Sequence, residues 1–433
     1  MRHPDYLKSP PVIELRRRVS VAGVMALLLS VLLLGLIDVQ IFSPILPLLA
    51  KDFNISVARA GIAVTAYAIT AAAWVLFIGP LSDRFGRVIF LRVAAGLFST
   101  ASMLAFFSEK FEGYLAARVL AGLAGGTMSA CIIALVADLT PYEKRGRAMG
   151  LVGSMYSIAA VCGVPIGALM ADLFGWRSVY LLFAVPALLL ALFTHRMQQA
   201  VDREFVNNQN GGNHHHRRRN QGIWAAVRAQ LHGYGRFWMK GSTRRGLLLS
   251  ITFSAVATSL LTYLGAWLAR SFQMPVKLIG VVFLITGLSA LGGAFTGGLL
   301  ADKLGKRRLI GLSSLVLAAV MVMSPLVQTR LHVFAFCIAG ALAMALREGP
   351  YQALITELAA PHERGAYIGM RNCTSQLSIA GSAAFCGFLF EKFGFTAVAN
   401  FAASFSLIAV VIVYFAMEPA AEEFPSVPSS SLE

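Results

Sequence analysis

Between residues 21 and 417 the chain alternates long apolar runs with short polar gaps. A transmembrane helix takes about 20 mainly apolar residues. Twelve runs meet that length, give or take a turn: 21–48, 58–80, 88–107, 113–136, 148–170, 177–195, 246–270, 278–300, 309–328, 332–356, 366–390 and 397–417. Most gaps are a single turn, but 196–245 is long and polar and splits the runs into six plus six. It contains NNQNGGNHHHRRRNQG (207–222), a linker by composition. His214, His215 and His216 within it are read as solvated loop residues, and no metal site is expected. The following residues, 223–241, set aromatics among basic residues, which predicts an amphipathic helix at the membrane surface. The expected organisation is an N-terminal segment (1–20), a six-helix bundle (21–195), a central loop (196–245), a second six-helix bundle (246–417) and a tail (418–433).

Composition agrees with the pattern. The chain is 57% hydrophobic and 13% charged, against about 25% charged for a soluble domain. The formal net charge of +16 does not point to nucleic acid. The basic residues fall in the gaps, whereas a nucleic-acid binder gathers them on one soluble face. Their distribution instead sets orientation. If both termini are cytoplasmic, the cytoplasmic segments hold 26 of the 37 Lys and Arg residues and the outer segments eight. Three arginines precede the first run, as in a secretory signal. The run is too long for a signal and no small-residue cleavage site closes it, so it reads as a first membrane helix. Cys131, Cys162, Cys337, Cys373 and Cys386 are dispersed through apolar runs with no CxxC pair. They suggest helix packing, not disulfides or zinc.

The chain repeats itself at one offset, the distance from Gly79 to Gly298. Gly79, Asp83 and Gly86 match Gly298, Asp302 and Gly305 in order. ALVADL (134–139) matches ALITEL (353–358), aligning Asp138 with Glu357. Arg145-Gly146 matches Arg364-Gly365, and FGW (174–176) matches FGF (393–395), all at the same offset. Six helices per half give the second half the orientation of the first. The expected fold is therefore all-α and integral to the membrane, twelve helices in two pseudo-symmetric six-helix bundles with a site between them at mid-membrane.

These residues resemble the major facilitator superfamily over roughly 20–417. GPLSDRFGRV (79–88) resembles the signature between helices two and three, with Val88 replacing its last basic residue. RVLAGLAGG (118–126) is similar to the helix-four motif that begins with arginine, with Ala121 where glutamine is common. GVPIGA (163–168) resembles, loosely, the helix-five motif of antiporters, carried by Gly163, Pro165 and Gly167. LIDVQIFSPILP (36–47) is similar to the first-helix motif of drug:proton antiporters. The resemblance implies the major facilitator fold and proton-coupled transport, with the helix-four arginine beside the first-helix acid. No P-loop motif appears, so ATP-driven transport is not indicated.

Asp38 lies about two thirds of the way along the first run. A carboxylate inside a membrane is costly and is a functional hypothesis by default. Removal from water favours its protonated form, which suits a group that loads and unloads a proton. Arg118, in the fourth run, falls at a similar depth and is its natural partner. Arg347 and Glu348 form a second charged doublet, ahead of Gly349-Pro350, which is expected to break the tenth helix beside a cavity. Gln40, Tyr67, Tyr156, Tyr263, Asn372 and Gln376 are further candidates for the cavity wall. Arg371 is expected to snorkel to the cytoplasmic side.

Gly79 is read as a close-packing position. Asp83, Arg84, Gly86, Arg87, Asp138, Arg145, Gly298, Asp302, Gly305, Glu357 and Arg364 are read with it as two conformational latches that help hold an outward-open state. No catalytic constellation stands out, so an enzyme is not expected; a non-transporting receptor remains a different-class alternative. The leading expectation is a monomeric antiporter in the cell (inner) membrane, working by alternating access. It exports small amphipathic or lipophilic compounds, uses protons and no cofactor, and meets no partner beyond lipid, substrate and protons. A transporter of one metabolite, lipid or siderophore is the alternative.

Overall fold

The computed structural model describes residues 21–140, 145–208, 233–360 and 363–416. It is helical throughout these residues, and twelve helical rods follow one another along the chain. They are α1 (Val21–Gln40, continued by Phe42–Asp52), α2 (Val57–Phe85), α3 (Arg87–Phe107), α4 (Phe111–Leu139), α5 (Arg145–Ile158, continued by Val164–Phe174), α6 (Ser178–Asn208), α7 (Gly241–Phe272), α8 (Val276–Leu304), α9 (Lys306–Val322), α10 (Arg330–Glu357), α11 (Arg364–Phe393) and α12 (Phe395–Val411). Ten of these contain stretches long and apolar enough to cross a bilayer; the apolar parts of α6 and α9 are shorter. The twelve runs read from sequence each fall on one rod.

Local chemistry explains the joints. The break in α1 at Ile41 precedes Pro44, which has no N–H to offer the Gln40 carbonyl and crowds it. A π-helical turn, Ala159–Gly163, interrupts α5 ahead of Pro165. Gly86, Gly175, Gly305 and Gly394 have φ of 101°, 81°, 84° and 75°. These are left-handed values that a side chain resists. Gly86 pairs with Gly305 and Gly175 with Gly394 at the offset of the sequence repeat, so that repeat is also a repeat of turn geometry.

Two expectations are corrected. α10 is helical without a break through Gly349 and Pro350. The carbonyl that Pro350 leaves unpaired is that of Leu346, and a Cβ on Gly297 of α8 would lie 2.6 Å from that oxygen. A neighbouring helix thus covers the defect. Helices run into both ends of the central polar stretch, 196–245: α6 continues to Asn208 and α7 begins at Gly241. Of the expected surface helix, 223–232 lie outside the described residues, and helical residues 233–239 do not turn their aromatics to a membrane surface. Tyr234 and Phe237 are buried, and Phe237 packs edge-on against Tyr367 of α11 at 5.4 Å. The histidine run, 214–216, lies outside the described residues. Of the cysteines, Cys162 is exposed and the other four are buried.

Across the halves, α2 lies along α11, α5 along α8 and α1 along α7. The joins gather toward the end opposite the chain termini. The Gly265 N–H of α7 donates to Ser43 Oγ at 3.2 Å, Thr65 Oγ1 donates to the Ala380 carbonyl at 3.1 Å, and the Ala58 N–H donates to Glu391 Oε2 at 3.4 Å. One join lies nearer the middle, where Cys373 Sγ approaches the Ala72 carbonyl at 3.6 Å. The molecule is therefore closed at the end away from its termini.

Glu391 fastens that closure. Its carboxylate sits on the first-turn N–H of α2, where a helix favours negative charge, and Arg270 approaches its other oxygen at 3.9 Å. Glu391→Gln removes the charge from both contacts. We expect it to shift the population toward the state open at this end. Spin labels at Lys51→Cys and Lys277→Cys, with Cys162 replaced by serine, will then show a longer mean distance. An unchanged distance distribution would show that Glu391 does not hold the closure.

Candidate functional site

Asp38 and Arg118 meet in the first half. Asp38 stands one turn before the break in α1 and is 1% exposed; Arg118 is 5% exposed. A guanidinium Nη2 of Arg118 donates to both carboxylate oxygens, at 2.9 and 2.7 Å. Three tyrosine rings surround the cation, Tyr67 and Tyr180 at 5.6 Å and Tyr114 at 5.9 Å. The Tyr114 and Tyr180 hydroxyls hydrogen-bond each other at 2.6 Å. Arg118 Nε is buried without a partner.

The local sequence builds this pocket. Tyr114 precedes Arg118 by four residues, on the same face of α4. Tyr67 fits because α4 carries glycines beneath it: a Cβ on Gly125 would lie 2.0 Å from the Tyr67 hydroxyl, and one on Gly122 would lie 2.4 Å from its carbonyl oxygen. The helix-five glycines bring α5 onto α1. A Cβ on Gly163 would lie 2.3 Å from Ile37, and one on Gly167 would lie 2.4 Å from Ile41. These contacts flank Asp38 on both sides. Pro165 follows the π-turn and faces Gly280 of α8.

Near by, Gln40 Nε2 donates to the Tyr156 carbonyl at 3.2 Å. Tyr156 itself is 61% exposed. We take the space between the halves to be bordered by this exposed ring and, from the second half, by the exposed Glu348. Gln40 follows Asp38 by two residues on α1, so its contact with Tyr156 lies close to the ion pair.

The second half contributes a different set. Glu348 is exposed and Gln352, one turn on, donates from Nε2 to Glu348 Oε1 at 2.8 Å. Arg371 of α11 donates from Nη1 to Gln352 Oε1, also at 2.8 Å, and stacks over Tyr351 at 5.7 Å. Arg371 therefore does not snorkel; it reaches across to α10. Arg347 departs from expectation in the opposite sense. It is 2% exposed, donates to Ser314 of α9 at 3.1 Å and lies over the Phe253 ring at 3.9 Å. It braces α7, α9 and α10 inside the second bundle and does not line the space. Tyr263 is also a correction: it is buried, donates to the Ala383 carbonyl at 2.5 Å and stacks on Phe390 at the closed end. Asn372 and Gln376 are half-buried on α11 and make no side-chain hydrogen bond among the described residues.

The latch residues pair within each half. Arg87 at the start of α3 bonds Asp138 at the end of α4, and Lys306 at the start of α9 bonds Glu357 at the end of α10. The two pairs are related by the offset of the sequence repeat, so they are one brace built twice. Gly86 and Gly305 supply the turns that place the basic residues. Asp302, Arg364 and Arg84 are exposed at these ends, and a Cβ on Gly298 would meet nothing within 4 Å. The close-packing role read for its counterpart Gly79 therefore has no parallel in the second half. The side chains of Asp83 and Arg145 lie outside the described residues.

Sequence comparison decides the family. The model of the Major Facilitator Superfamily matches residues 28–382, and again 247–431. The chain belongs to the major facilitator superfamily. It is similar to the uncharacterized transporter YwfA of Bacillus subtilis, 23% identical over 379 residues and 87% of each chain. It is also similar to a probable 4-methylmuconolactone transporter of Cupriavidus pinatubonensis, 25% identical over 386 residues, 87% of this chain and 85% of that one. Among solved structures it resembles the inward-open xylose transporter XylE from E. coli, with a TM-score of 0.72, 17% identity, and coverage of 93% and 98%. The major facilitator fold and a multi-pass membrane transporter follow. The relatives are transporters, and none points to an enzyme.

The ion pair and both sets of glycines carried signals in sequence. Arg371, Gln352, Tyr114 and Tyr180 were not singled out as site residues. The spacing of Tyr114 from Arg118 was available as a signal; for Arg371 and Gln352 only the facing of two helices reveals the contact.

Proposed function

We propose that this transporter couples the export of small amphipathic compounds to proton entry, in the manner of the drug:proton antiporters. The supporting observation is the buried Asp38–Arg118 pair beside the space between the halves. Protonation of Asp38 releases the guanidinium from its carboxylate and leaves it to the three tyrosine rings. The cost of parting these charges in a dry site ties proton binding to a change in how α1 and α4 pack. α1 also carries Ser43, which joins the halves at the closed end, so the coupling has a mechanical route. With the orientation set by Lys and Arg, the closed end is the outer one and the space opens to the cytoplasm. The chain then works as a monomer in the cell membrane, with both termini cytoplasmic, the proton gradient as its energy source and no bound cofactor.

The second reading, transport of one metabolite, is favoured by the polar cluster of Glu348, Gln352 and Arg371, which greasy drugs do not need. Relatives carry such roles in their names: the 4-methylmuconolactone transporter, a riboflavin transporter of Clostridioides difficile and a vacuolar amino acid uptake transporter of Schizosaccharomyces pombe. The test is purified protein in liposomes holding a pH-sensitive dye, challenged with lipophilic dyes and labelled metabolites. Antiport predicts proton movement opposite to substrate in every preparation that moves substrate. Substrate flux without proton movement rejects it.

A further inference from the structure

We propose that Glu348, Gln352 and Arg371 are the substrate clamp, and that it takes a small zwitterion: a carboxylate on Arg371, an ammonium on Glu348, and an aromatic or apolar body against Tyr156. This rests on the reading of the chain as a transporter with its site between the halves, and it deepens that reading.

The geometry is that of a receptor left open. Four pairs elsewhere are direct: Asp38 with Arg118, Arg87 with Asp138, Arg177 with Asp52 and Lys306 with Glu357. Here it does not. Among the described residues, neither Glu348 nor Arg371 has an oppositely charged group within ion-pair distance. The Gln352 amide stands between them, with its oxygen toward the cation and its NH2 toward the anion, each at 2.8 Å. The glutamine holds the two charges one side-chain amide apart.

Both charges keep unused capacity. Glu348 uses Oε1 alone, and Arg371 uses Nη1 alone, with its Nε buried and unpartnered. A planar guanidinium with free donors matches a carboxylate, and such charge-assisted bonds are strong. A free carboxylate oxygen likewise accepts from an ammonium. Tyr351 lies under the guanidinium, at 5.7 Å, and Tyr156 is an exposed ring on the first half.

The repeat adds an independent argument. The first-half counterparts of Glu348, Gln352 and Arg371 are Ser129, Ile133 and Val152, so the pseudo-symmetry of the fold does not demand these charges. The first half carries the buried ion pair instead, where the second half has Ala257 and Cys337. Each bundle thus holds one specialised polar set, buried in the first half and reaching an exposed Glu348 in the second.

The test is binding, without a gradient, so it stands apart from proton coupling. The full-length protein is purified in detergent and its melting followed with three matched probes: phenylalanine, phenylacetate and phenethylamine. A ligand that binds the native state raises Tm by mass action. Phenylalanine is expected to stabilise the wild type at concentrations at least about tenfold below either singly charged probe, since two charge-assisted contacts exceed one. Arg371→Gln should abolish the response to phenylacetate and keep that to phenethylamine. Glu348→Gln should do the reverse. Equal responses to all three probes, no response to any, or variants that respond as the wild type each overturn the clamp. The comparison within the wild type decides even if a variant does not fold. Proton-free flux in the liposome assay, with this discrimination intact, would overturn the antiport reading alone.

Discussion

Arg118→Ala is expected to lower stability by about 3–5 kcal/mol, because it strands the Asp38 carboxylate inside the bilayer without its partner. Nothing near by replaces the lost charge. The groups around the pair are the rings of Tyr67, Tyr114 and Tyr180, which stabilise a cation and give an anion little. Transport should fall with stability. A second variant separates the two losses. Replacing both charges together, Asp38→Leu with Arg118→Met, removes the stranded ion; such apolar replacement of a buried pair is often neutral or stabilising. The double variant should therefore recover most of the melting temperature and none of the proton-coupled transport. Recovery of neither would mean that the pair is needed for packing alone. Recovery of both would remove it from the mechanism.

The second large effect is expected at Gly265→Val. A Cβ at Gly265 would lie 2.2 Å from the Ser43 carbonyl oxygen and 3.1 Å from the Pro44 Cα. Both are backbone atoms, in the segment of α1 just beyond its break, so they cannot swing aside as a flexible side chain would. The site also holds a hydrogen bond, from the Gly265 N–H to Ser43 Oγ. A valine there forces α1 and α7 apart at the closed end. The protein should still fold, since the contacts within each bundle are untouched, but it should remain open at that end. The Lys51 and Lys277 spin labels should then report one long distance where the wild type reports a short one, and net transport should be lost. A short distance with transport intact would show that the closure has another seam.

The framework was legible in sequence for a simple reason. Hydrophobic length alone marks a membrane helix, and a long internal repeat that aligns Gly86 with Gly305 and Gly175 with Gly394 marks turns that only two related halves would share. The Asp38–Arg118 contact was also within reach, because two intramembrane charges at similar depth have few other partners. What sequence did not convey was rotation about each helix axis. Arg347 and Glu348 are neighbours, yet one lies inside its bundle and the other is exposed, because consecutive residues point about 100° apart. Arg371 illustrates the same limit: its depth suggested the cytoplasmic surface, and its facing sends it to Gln352. Tyr263 shows a further one. Its place at the closed end depends on which conformation the halves adopt, and a single sequence specifies both.

The account rests on Asp38 as the group that carries the proton. The most direct measurement is transport by Asp38→Asn in liposomes, with a substrate from the flux panel, compared with and without an imposed pH gradient. Asparagine keeps the size and a hydrogen-bonding oxygen for Arg118 but cannot take up a proton. The account predicts that substrate still exchanges across the membrane while the gradient no longer accelerates it. Full gradient-driven transport by the asparagine variant would contradict it.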